Sequence, residues 1–175
     1  IVKIRTKMKK YNPTFKKKCE SIKLVISDVD GVLTDGGMYY SEKGEVLKKF
    51  NTKDGMAVEL LLKNRIKTIL MTRENSEIVK KRGKKIKVAL SYLGVKRKEE
   101  KLKKICEKFC VIPSEIAYIG DDVNDLEIIK KVGFSASPSD GIQTIVNNVD
   151  YVCKLKGGQG VLREITEVIL KHKKL

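Results

Sequence analysis

Three short apolar runs, each followed directly by polar residues, constrain the fold of this chain more than any other feature. The runs cover residues 22–27, 66–71 and 116–119. Continuous apolar runs of this length are typical of strands that are buried on both faces of a parallel sheet. Segments with helical spacing of apolar residues separate them. The alternation predicts an α/β fold, a Rossmann-like doubly wound parallel sheet, with its ligand at the carboxyl ends of the strands.

The remaining elements follow from apolar periodicity and turn residues. Helices are predicted at residues 54–64, 76–85, 97–109, 124–132, 142–147 and 161–172. Shorter strands are predicted at residues 88–90, 134–136 and 151–153. Residues 38–40 and 45–50 flank a Ser-Glu-Lys-Gly turn, which predicts a protruding β-hairpin.

The 175 residues suffice for one domain, and their charge is uneven. The first 18 residues hold eight Lys or Arg and no acid, out of a net charge of +16. We therefore expect a basic N-terminal arm at residues 1–20, poorly ordered in part, and a folded domain at residues 21–175.

Composition excludes several functional classes. No apolar run approaches the ~18 residues of a membrane span. Aromatic residues are only 6% of the chain and Trp is absent, so nucleic acid is not the expected partner despite the positive charge. The four cysteines form no CxxC pair, which favours a reduced, cytoplasmic setting.

Carboxylates follow two of the buried runs. Asp28 and Asp30 come after the first, two residues apart and therefore on the same side of an extended segment. Asp121 and Asp122 come after the third. Carboxylates gathered at one sheet edge repel one another unless a cation neutralises them. A few carboxylates beside a phosphate are typical of a Mg²⁺ site.

With such a cation and Lys98 to neutralise charge, a carboxylate can approach a phosphate. Asp28 is then the candidate nucleophile that attacks phosphorus, and Asp30 is the candidate acid that protonates the leaving alcohol and then activates water. Phosphate-binding groups are expected at the Gly31 amide and the Thr72 hydroxyl. A DxD pair or a threonine alone is common in turns and helix caps. The prediction of a phosphate site therefore depends on all of these residues occurring together after the strands.

The strings DVDGVLTD at residues 28–35 and GDDVND at residues 120–125 resemble two motifs of the haloacid dehalogenase superfamily. Thr72 and Lys98 resemble the other two motifs, and Arg73 is expected to bind the phosphate together with Thr72. Lys96 and Lys101 compete with Lys98 for the lysine role. By that resemblance Mg²⁺ is held by Asp28, the Asp30 carbonyl and Asp121, with Asp122 in support. Lys98 would contact the phosphoryl group, and Asp125 would position Lys98.

Motif spacing narrows the resemblance to a branch without a large cap domain. Residues 28 and 72 are 44 apart, and residues 72 and 121 are 49 apart. The chain resembles the capless phosphatases of 3-deoxy-D-manno-octulosonate 8-phosphate and of nine-carbon nonulosonate 9-phosphates. The branch implies a homotetramer that assembles through the hairpin at residues 37–50, with a neighbouring subunit helping to close the site.

The substrate prediction depends on the segment after Thr72. The eight-carbon enzymes usually read Thr-Gly-Arg there, whereas this chain has Arg73 and Glu74. Glu74, Arg82 and Lys85 resemble a pattern of the nine-carbon enzymes, with the basic pair expected to meet a substrate carboxylate. The prediction is therefore a nonulosonate 9-phosphate phosphatase. The eight-carbon substrate and a merely solvated helix face stay open.

Other interpretations stay open as well. Glycines at residues 157, 158 and 160 suggest a mobile segment over the site, which predicts that residues 157–175 can be deleted with more effect on KM than on folding. A non-catalytic phosphatase-like domain tied to a sugar cytidylyltransferase is a further alternative. A receiver-type phospho-acceptor is disfavoured by the DxDGVxTD spacing.

Overall fold

The protein, described here by a computed structural model for residues 13–173, is built around a six-stranded parallel sheet. In sheet order the strands are β5 (Leu90–Tyr92), β4 (Lys67–Met71), β1 (Leu24–Ser27), β6 (Ile116–Ile119), β7 (Phe134–Ser137) and β8 (Tyr151–Val152). From β1 the chain first adds β4 and β5 on one side and then β6, β7 and β8 on the other. The carboxyl ends of β4, β1 and β6 therefore meet at a topological switch point. The predicted doubly wound α/β fold is confirmed.

Helices cover both faces of the sheet. One face carries α1 (Pro13–Ser21), α2 (Thr52–Lys63), α3 (Glu77–Lys85) and α7 (Val161–His172). The other carries α4 (Leu102–Phe109), α5 (Leu126–Ile129) and α6 (Gln143–Val146). In β1, Val25 points into the first layer while Leu24 and Ile26 point into the second. Burial on both faces explains why this strand has no polar alternation.

Some element boundaries differ from prediction. The strand expected at residues 88–90 begins at Leu90, because the chain turns at Lys87 with φ of +62° before it enters the sheet. The helix expected at residues 97–109 opens as a 3₁₀ turn at Lys98–Lys101 and becomes α-helical at α4. The helix expected at residues 124–132 likewise opens with a 3₁₀ turn and is α-helical only in α5. Each boundary depends on contacts that local periodicity does not contain.

The end of the predicted basic arm is a helix packed on the domain. Cys19 of α1 is fully buried, and the ring of Phe15 lies edge-on to that of Phe134 with centroids 5.5 Å apart. A proline in the first turn and apolar residues four apart favour this helix, although lysines dominate its sequence. The folded domain therefore includes α1, which starts at Pro13. The rest of the predicted arm, residues 1–12, lies outside the described residues.

The hairpin stands apart from the main sheet. It comprises β2 (Tyr39–Ser41) and β3 (Gly44–Leu47), which pair antiparallel around a turn at residues 42–43. Between β1 and β4 the described chain contains only this hairpin and α2. The prediction of a protruding hairpin without a large cap domain is confirmed. Among residues 13–173, no helix is both long and apolar enough to cross a membrane.

The glycine-rich segment before α7 lies against the loop that follows β1. A Cβ atom at Gly157 would collide with the carbonyl oxygen of Gly31. The amide of Gly158 donates a hydrogen bond of 3.0 Å to the carbonyl oxygen of Val32. Close backbone packing is thus the reason for these glycines. The segment therefore packs against the loop and supports its conformation.

Helix α7 belongs to the core. Its fully buried residues are Val161, Leu162, Ile165, Thr166 and Ile169. Removing a helix that buries this much apolar surface would cost several kcal/mol, a large part of the stability of a domain. The prediction that deleting residues 157–175 has more effect on KM than on folding is therefore wrong.

A buried carboxylate ties α7 to α2. Oδ1 of Asp54 accepts a hydrogen bond of 3.1 Å from the amide of Arg163, at the start of α7. The other oxygen, Oδ2, is buried and has no hydrogen-bond partner among the described residues. Burial raises the pKa of Asp54 from 3.8 to about 6, although the amide of Arg163 opposes the rise.

This raised pKa predicts how Asp54→Asn changes stability with pH. The folded protein holds the Asp54 proton more tightly than the unfolded chain, so its contribution to stability is present below pH 4 and is lost as pH rises through about 6. A difference of about two pKa units corresponds to about 3 kcal/mol. Relative to the wild type, the free energy of unfolding of Asp54→Asn should rise by up to that amount between pH 4 and pH 7.

Urea titrations of both proteins at several pH values measure this difference. Other titrating groups are common to both proteins and cancel. Parallel pH profiles for the variant and the wild type would contradict the assignment to Asp54.

Candidate active site

The central strand ends form a cavity of about 270 Å³. It is lined by Asp28, Asp30, Gly31, Gly36, Met38, Thr72, Arg73, Glu74, Asp121, Asp122 and Asn124. Larger cavities lie beside α7 and between α2 and α3, but neither contains the strand-end carboxylates. The structure therefore gathers most of the predicted site residues in one place.

Asp28 is fixed by the backbone on one side and by a lysine on the other. Its amide continues the sheet by donating to the carbonyl oxygen of Ile119 at 2.9 Å. Its Oδ1 accepts from the amide of Val29 at 2.7 Å, and its Oδ2 lies 2.7 Å from Nζ of Lys98. The side chain of Asp28 is 6% exposed, so its carboxylate reaches the cavity while these contacts hold it in place and nearly all of it is shielded from water.

Glycine at position 31 is required by space and by backbone conformation. Its φ is +80°, and a Cβ atom there would collide with the carboxylate of Asp121. The loop after β1 can therefore approach the end of β6 only with glycine at this position. This close approach brings the first and last acidic motifs together.

Lys98 is the lysine that enters the site. Its side chain is fully buried between Asp28, at 2.7 Å, and Asp125, at 2.6 Å. Lys96 is exposed and Lys101 lines a different cavity, so the prediction of Lys98 over these two agrees with the geometry. Burial lowers the pKa of Lys98, but the two carboxylates outweigh it and raise that pKa above its usual value. Lys98 is therefore a permanent cation here.

Asp125 holds the site together. Its Oδ1 accepts hydrogen bonds from Lys98 and, at 2.6 Å, from the hydroxyl of Tyr118. Its Oδ2 accepts from the amide of Asp121 at 3.1 Å. Burial and the neighbouring Asp125 raise the pKa of Tyr118 well above its usual range, so this phenol remains a donor. The sequence interpretation missed Tyr118, which lies in an apolar strand.

The remaining carboxylates carry uncompensated negative charge. Burial raises the pKa of Asp121 to about 7, and repulsion by Asp125 and Asp122 adds to the rise. Burial and then Asp125 raise the pKa of Asp28, against the opposing effect of Lys98. Oδ1 of Asp121 is buried without a hydrogen-bond partner among the described residues. The site therefore favours binding of a further cation.

The donor set suits a hard divalent cation. One carboxylate oxygen from each of Asp28, Asp121 and Asp125 lies within 4.8 Å of the others. Lys98 and Tyr118 already contact Asp125, and each oxygen of Asp28 has one partner, whereas Oδ1 of Asp121 has no hydrogen-bond partner among the described residues. The carboxylate of the predicted supporting residue, Asp122, caps the next turn by accepting from the amide of Val123 at 2.6 Å. Oxygen donors with room for water fit Mg²⁺.

Asp30 lies at the cavity wall, and two other side chains hold it. Its Oδ1 lies 2.6 Å from Nζ of Lys48, and its Oδ2 accepts a hydrogen bond of 3.4 Å from the hydroxyl of Thr72. The hydroxyl of Thr72 also accepts from the amide of Glu74 at 3.0 Å. Sequence interpretation missed Lys48, which no local pattern separates from the other lysines of the chain.

Two predicted substrate-binding residues lie elsewhere. Arg82 and Lys85 line the cavity of about 620 Å³ between α2 and α3. Nη2 of Arg82 donates to the carbonyl oxygen of Asn51 at 3.0 Å, and its guanidinium lies over the ring of Phe50. Both side chains lie outside the acidic cavity of their own chain, because α3 turns this face toward α2. Glu74 does line the acidic cavity.

Comparison with known proteins agrees with this geometry. The family model described as haloacid dehalogenase-like hydrolase matches residues 63–165. The chain is 35% identical over 153 residues to the 3-deoxy-D-manno-octulosonate 8-phosphate phosphatase KdsC of Escherichia coli K12, covering 87% of this chain and 81% of the relative.

Two solved structures share the fold. The phosphatase of the same name from Moraxella catarrhalis, in complex with magnesium, phosphate and KDO, superposes with a TM-score of 0.88 at 32% identity, covering 93% of this chain and 94% of that chain. The cobalt-bound phosphatase of Haemophilus influenzae gives 0.87 at 35% identity, covering 89% and 91%. The chain therefore belongs to the haloacid dehalogenase-like hydrolases, and within this family it is similar to 3-deoxy-D-manno-octulosonate 8-phosphate phosphatases.

Proposed function

We propose that this phosphatase hydrolyses the phosphate monoester of a 2-keto-3-deoxy sugar acid through a phosphoaspartate at Asp28. The observation that carries the proposal is the position of Asp28 at the floor of the cavity, against the buried cation of Lys98. Asp30 lines the same cavity two residues further along the chain. A nucleophile, a cation and a second carboxylate are the groups that a two-step phosphoryl transfer needs.

In the first step, Asp28 attacks phosphorus and the ester oxygen leaves with a proton from Asp30. In the second step, Asp30 takes a proton from water, which attacks the phosphoaspartate and releases phosphate. The amide of Gly31, the hydroxyl of Thr72 and Arg73 are proposed to bind phosphate oxygens, because all three residues line the cavity. Asp125 keeps Lys98 directed at Asp28.

We propose Mg²⁺ as the cofactor, held by Asp28, the Asp30 carbonyl and Asp121, with Asp122 in support. When bound, Mg²⁺ neutralises the carboxylates and the phosphate so that they can approach each other. The raised pKa of Asp121 and its unpartnered oxygen support this proposal. The Moraxella relative with its magnesium ion and the Haemophilus relative with its cobalt ion support it further.

Two substrates fit the proposal, and different observations favour them. The names of the relatives favour the eight-carbon octulosonate 8-phosphate. Glu74, whose carboxylate can accept bonds from sugar hydroxyls at the cavity wall, favours our sequence-based preference for a nine-carbon nonulosonate 9-phosphate. Arg82 and Lys85 add support for the nine-carbon acid only if a neighbouring copy supplies them.

Phosphate release from a panel of substrates, with Mg²⁺ and with EDTA, tests this function. The panel holds both sugar acid phosphates, a hexose phosphate and a nucleotide. We expect turnover of one sugar acid phosphate that is lost with EDTA and falls at least about 10⁴-fold in Asp28→Asn, because no other carboxylate can take its place. Folded protein that hydrolyses none of these substrates would contradict the proposal and favour the non-catalytic domain tied to a sugar cytidylyltransferase.

We propose a homotetramer that assembles through the hairpin at residues 37–50. The exposed apolar side chains of this segment are Met38, Tyr39, Tyr40, Val46 and Leu47. Several large apolar side chains exposed on one hairpin are typical of a protein interface. Met38 also lines the acidic cavity, so assembly there would cover the open side of the site. We also propose a cytoplasmic location, which the four free cysteines support.

Leu47→Glu tests the assembly. Leu47 is 62% exposed in the single chain, so the charge is tolerated there, whereas burying it in an apolar interface costs several kcal/mol. Sedimentation velocity should show a tetramer for the wild type and smaller species for Leu47→Glu. Lys43→Glu, at the exposed hairpin turn, is the charge control and should stay tetrameric. A wild type that sediments as a monomer would refute the tetramer.

A further inference from the structure

A lysine next to the hairpin is buried against the proposed acid and base. The side chain of Lys48 has no exposed surface, and its Nζ lies 2.6 Å from Oδ1 of Asp30. The next residue, Lys49, is 65% exposed in its side chain and pairs with Asp35 at the surface. Two successive lysines thus occupy opposite environments. The high lysine content of the surface therefore does not explain why Lys48 is buried.

A second carboxylate completes the surroundings of Lys48. Oε1 of Glu45 lies 2.6 Å from the same Nζ, and its Oε2 accepts a hydrogen bond of 2.6 Å from the hydroxyl of Ser76. This chain of contacts runs from Asp30 through strand β3 to the start of α3. Nζ of Lys48 donates a hydrogen bond to Asp30, and two carboxylates that each lie 2.6 Å from Nζ favour the charged form of this amine. Lys48 therefore remains an ammonium.

A buried ammonium is costly unless it performs a task that an apolar residue cannot. Taking such a group out of water costs several kcal/mol, and well-packed apolar residues often replace buried ion pairs without loss of stability. Lys48 does not line the acidic cavity, whereas Asp30 does. The ammonium therefore approaches Asp30 from the protein side. It holds Oδ1 there and leaves Oδ2 beside the hydroxyl of Thr72.

We propose that Lys48 is a positioning residue that fixes the Asp30 carboxylate so that Oδ2 faces the ester oxygen of the bound phosphate. This inference rests on the proposed function, in which Asp30 protonates the leaving alcohol. Without Lys48, the Asp30 side chain loses the contact that selects one rotamer. The proton then has to be delivered from a carboxylate that spends less time in reach of the ester oxygen.

If Lys48 positions Asp30, the loss of kcat/KM on replacing Lys48 should depend on the leaving group. A sugar alkoxide is a poor leaving group and needs the proton of Asp30. The p-nitrophenolate ion is stable and leaves without protonation. The ratio kcat/KM reports on the steps up to formation of the phosphoaspartate, so the later water attack does not enter the comparison.

The experiment compares kcat/KM of Lys48→Met for the sugar acid phosphate that the wild type hydrolyses and for p-nitrophenyl phosphate. We expect a loss of about 10- to 100-fold for the sugar phosphate and less than about 3-fold for the aryl ester. The first loss is at or below the low end of the roughly 10²- to 10⁴-fold contribution of general acid catalysis, because Asp30 itself remains. Lys49→Met is the matched control and should change neither value. Equal losses on both substrates, or no loss, would overturn the proposal.

A double-substitution cycle tests whether Lys48 acts through Asp30. Asp30→Asn should lower the sugar-to-aryl ratio of kcat/KM more than Lys48→Met does. In the Asp30→Asn background, Lys48→Met should change that ratio less than about 2-fold, because the group that it positions is already gone. Independent, multiplying effects would overturn the proposal.

A second variant and the activity of the wild type separate the role of Lys48 from a folding defect and from failure of the proposed function. If Lys48→Met does not fold, Lys48→Gln retains a neutral donor to Asp30 and should show the same asymmetry at smaller size; equal losses for both substrates would again overturn the proposal. If the wild type hydrolyses no phosphate ester, the proposed function fails. If the wild type is active and the asymmetry is absent, only the role of Lys48 fails.

Discussion

The buried ammonium of Lys98 between Asp28 and Asp125 is the interaction on which the site depends. Each contact brings opposite charges together where water cannot screen them. Losing one member of such a group leaves an unpaired buried charge and costs about 3–5 kcal/mol. Lys98 opposes the rise that burial and Asp125 cause in the pKa of Asp28, so the carboxylate form at the floor of the cavity depends on Lys98 being held in place. Tyr118 and two backbone amides complete the support of Asp125.

This constraint explains several features of the fold. The loop after β1 must come close to the end of β6, which requires glycine at position 31. The glycine segment before α7 braces that loop from outside, and α7 is anchored in turn by Asp54. The hairpin contributes Lys48 to Asp30. The acidic cavity is thus supported from three separate parts of the chain, and no cap domain takes part.

Part of this site could be predicted from the sequence because its signals are local. A buried strand followed by acids indicates that Asp28 and Asp121 meet, since parallel strands end at the same edge. The partners of these carboxylates could not all be found in this way. Lys48 resembles every other lysine until the hairpin buries it. Arg82 matched a local pattern, but α3 turns it toward α2, a tertiary contact that spacing does not contain.

Reductive trapping can detect the proposed transfer of the phosphoryl group to Asp28. In Asp30→Asn we expect slow hydrolysis of the phosphoaspartate, and p-nitrophenyl phosphate supplies the phosphoryl group without needing an acid. After acid quench, borohydride reduces an aspartyl phosphate to homoserine, which peptide mass spectrometry locates. We expect homoserine at position 28, dependent on substrate and absent from Asp28→Asn/Asp30→Asn. Homoserine at another aspartate, or none while p-nitrophenol is released in an initial burst, would contradict it.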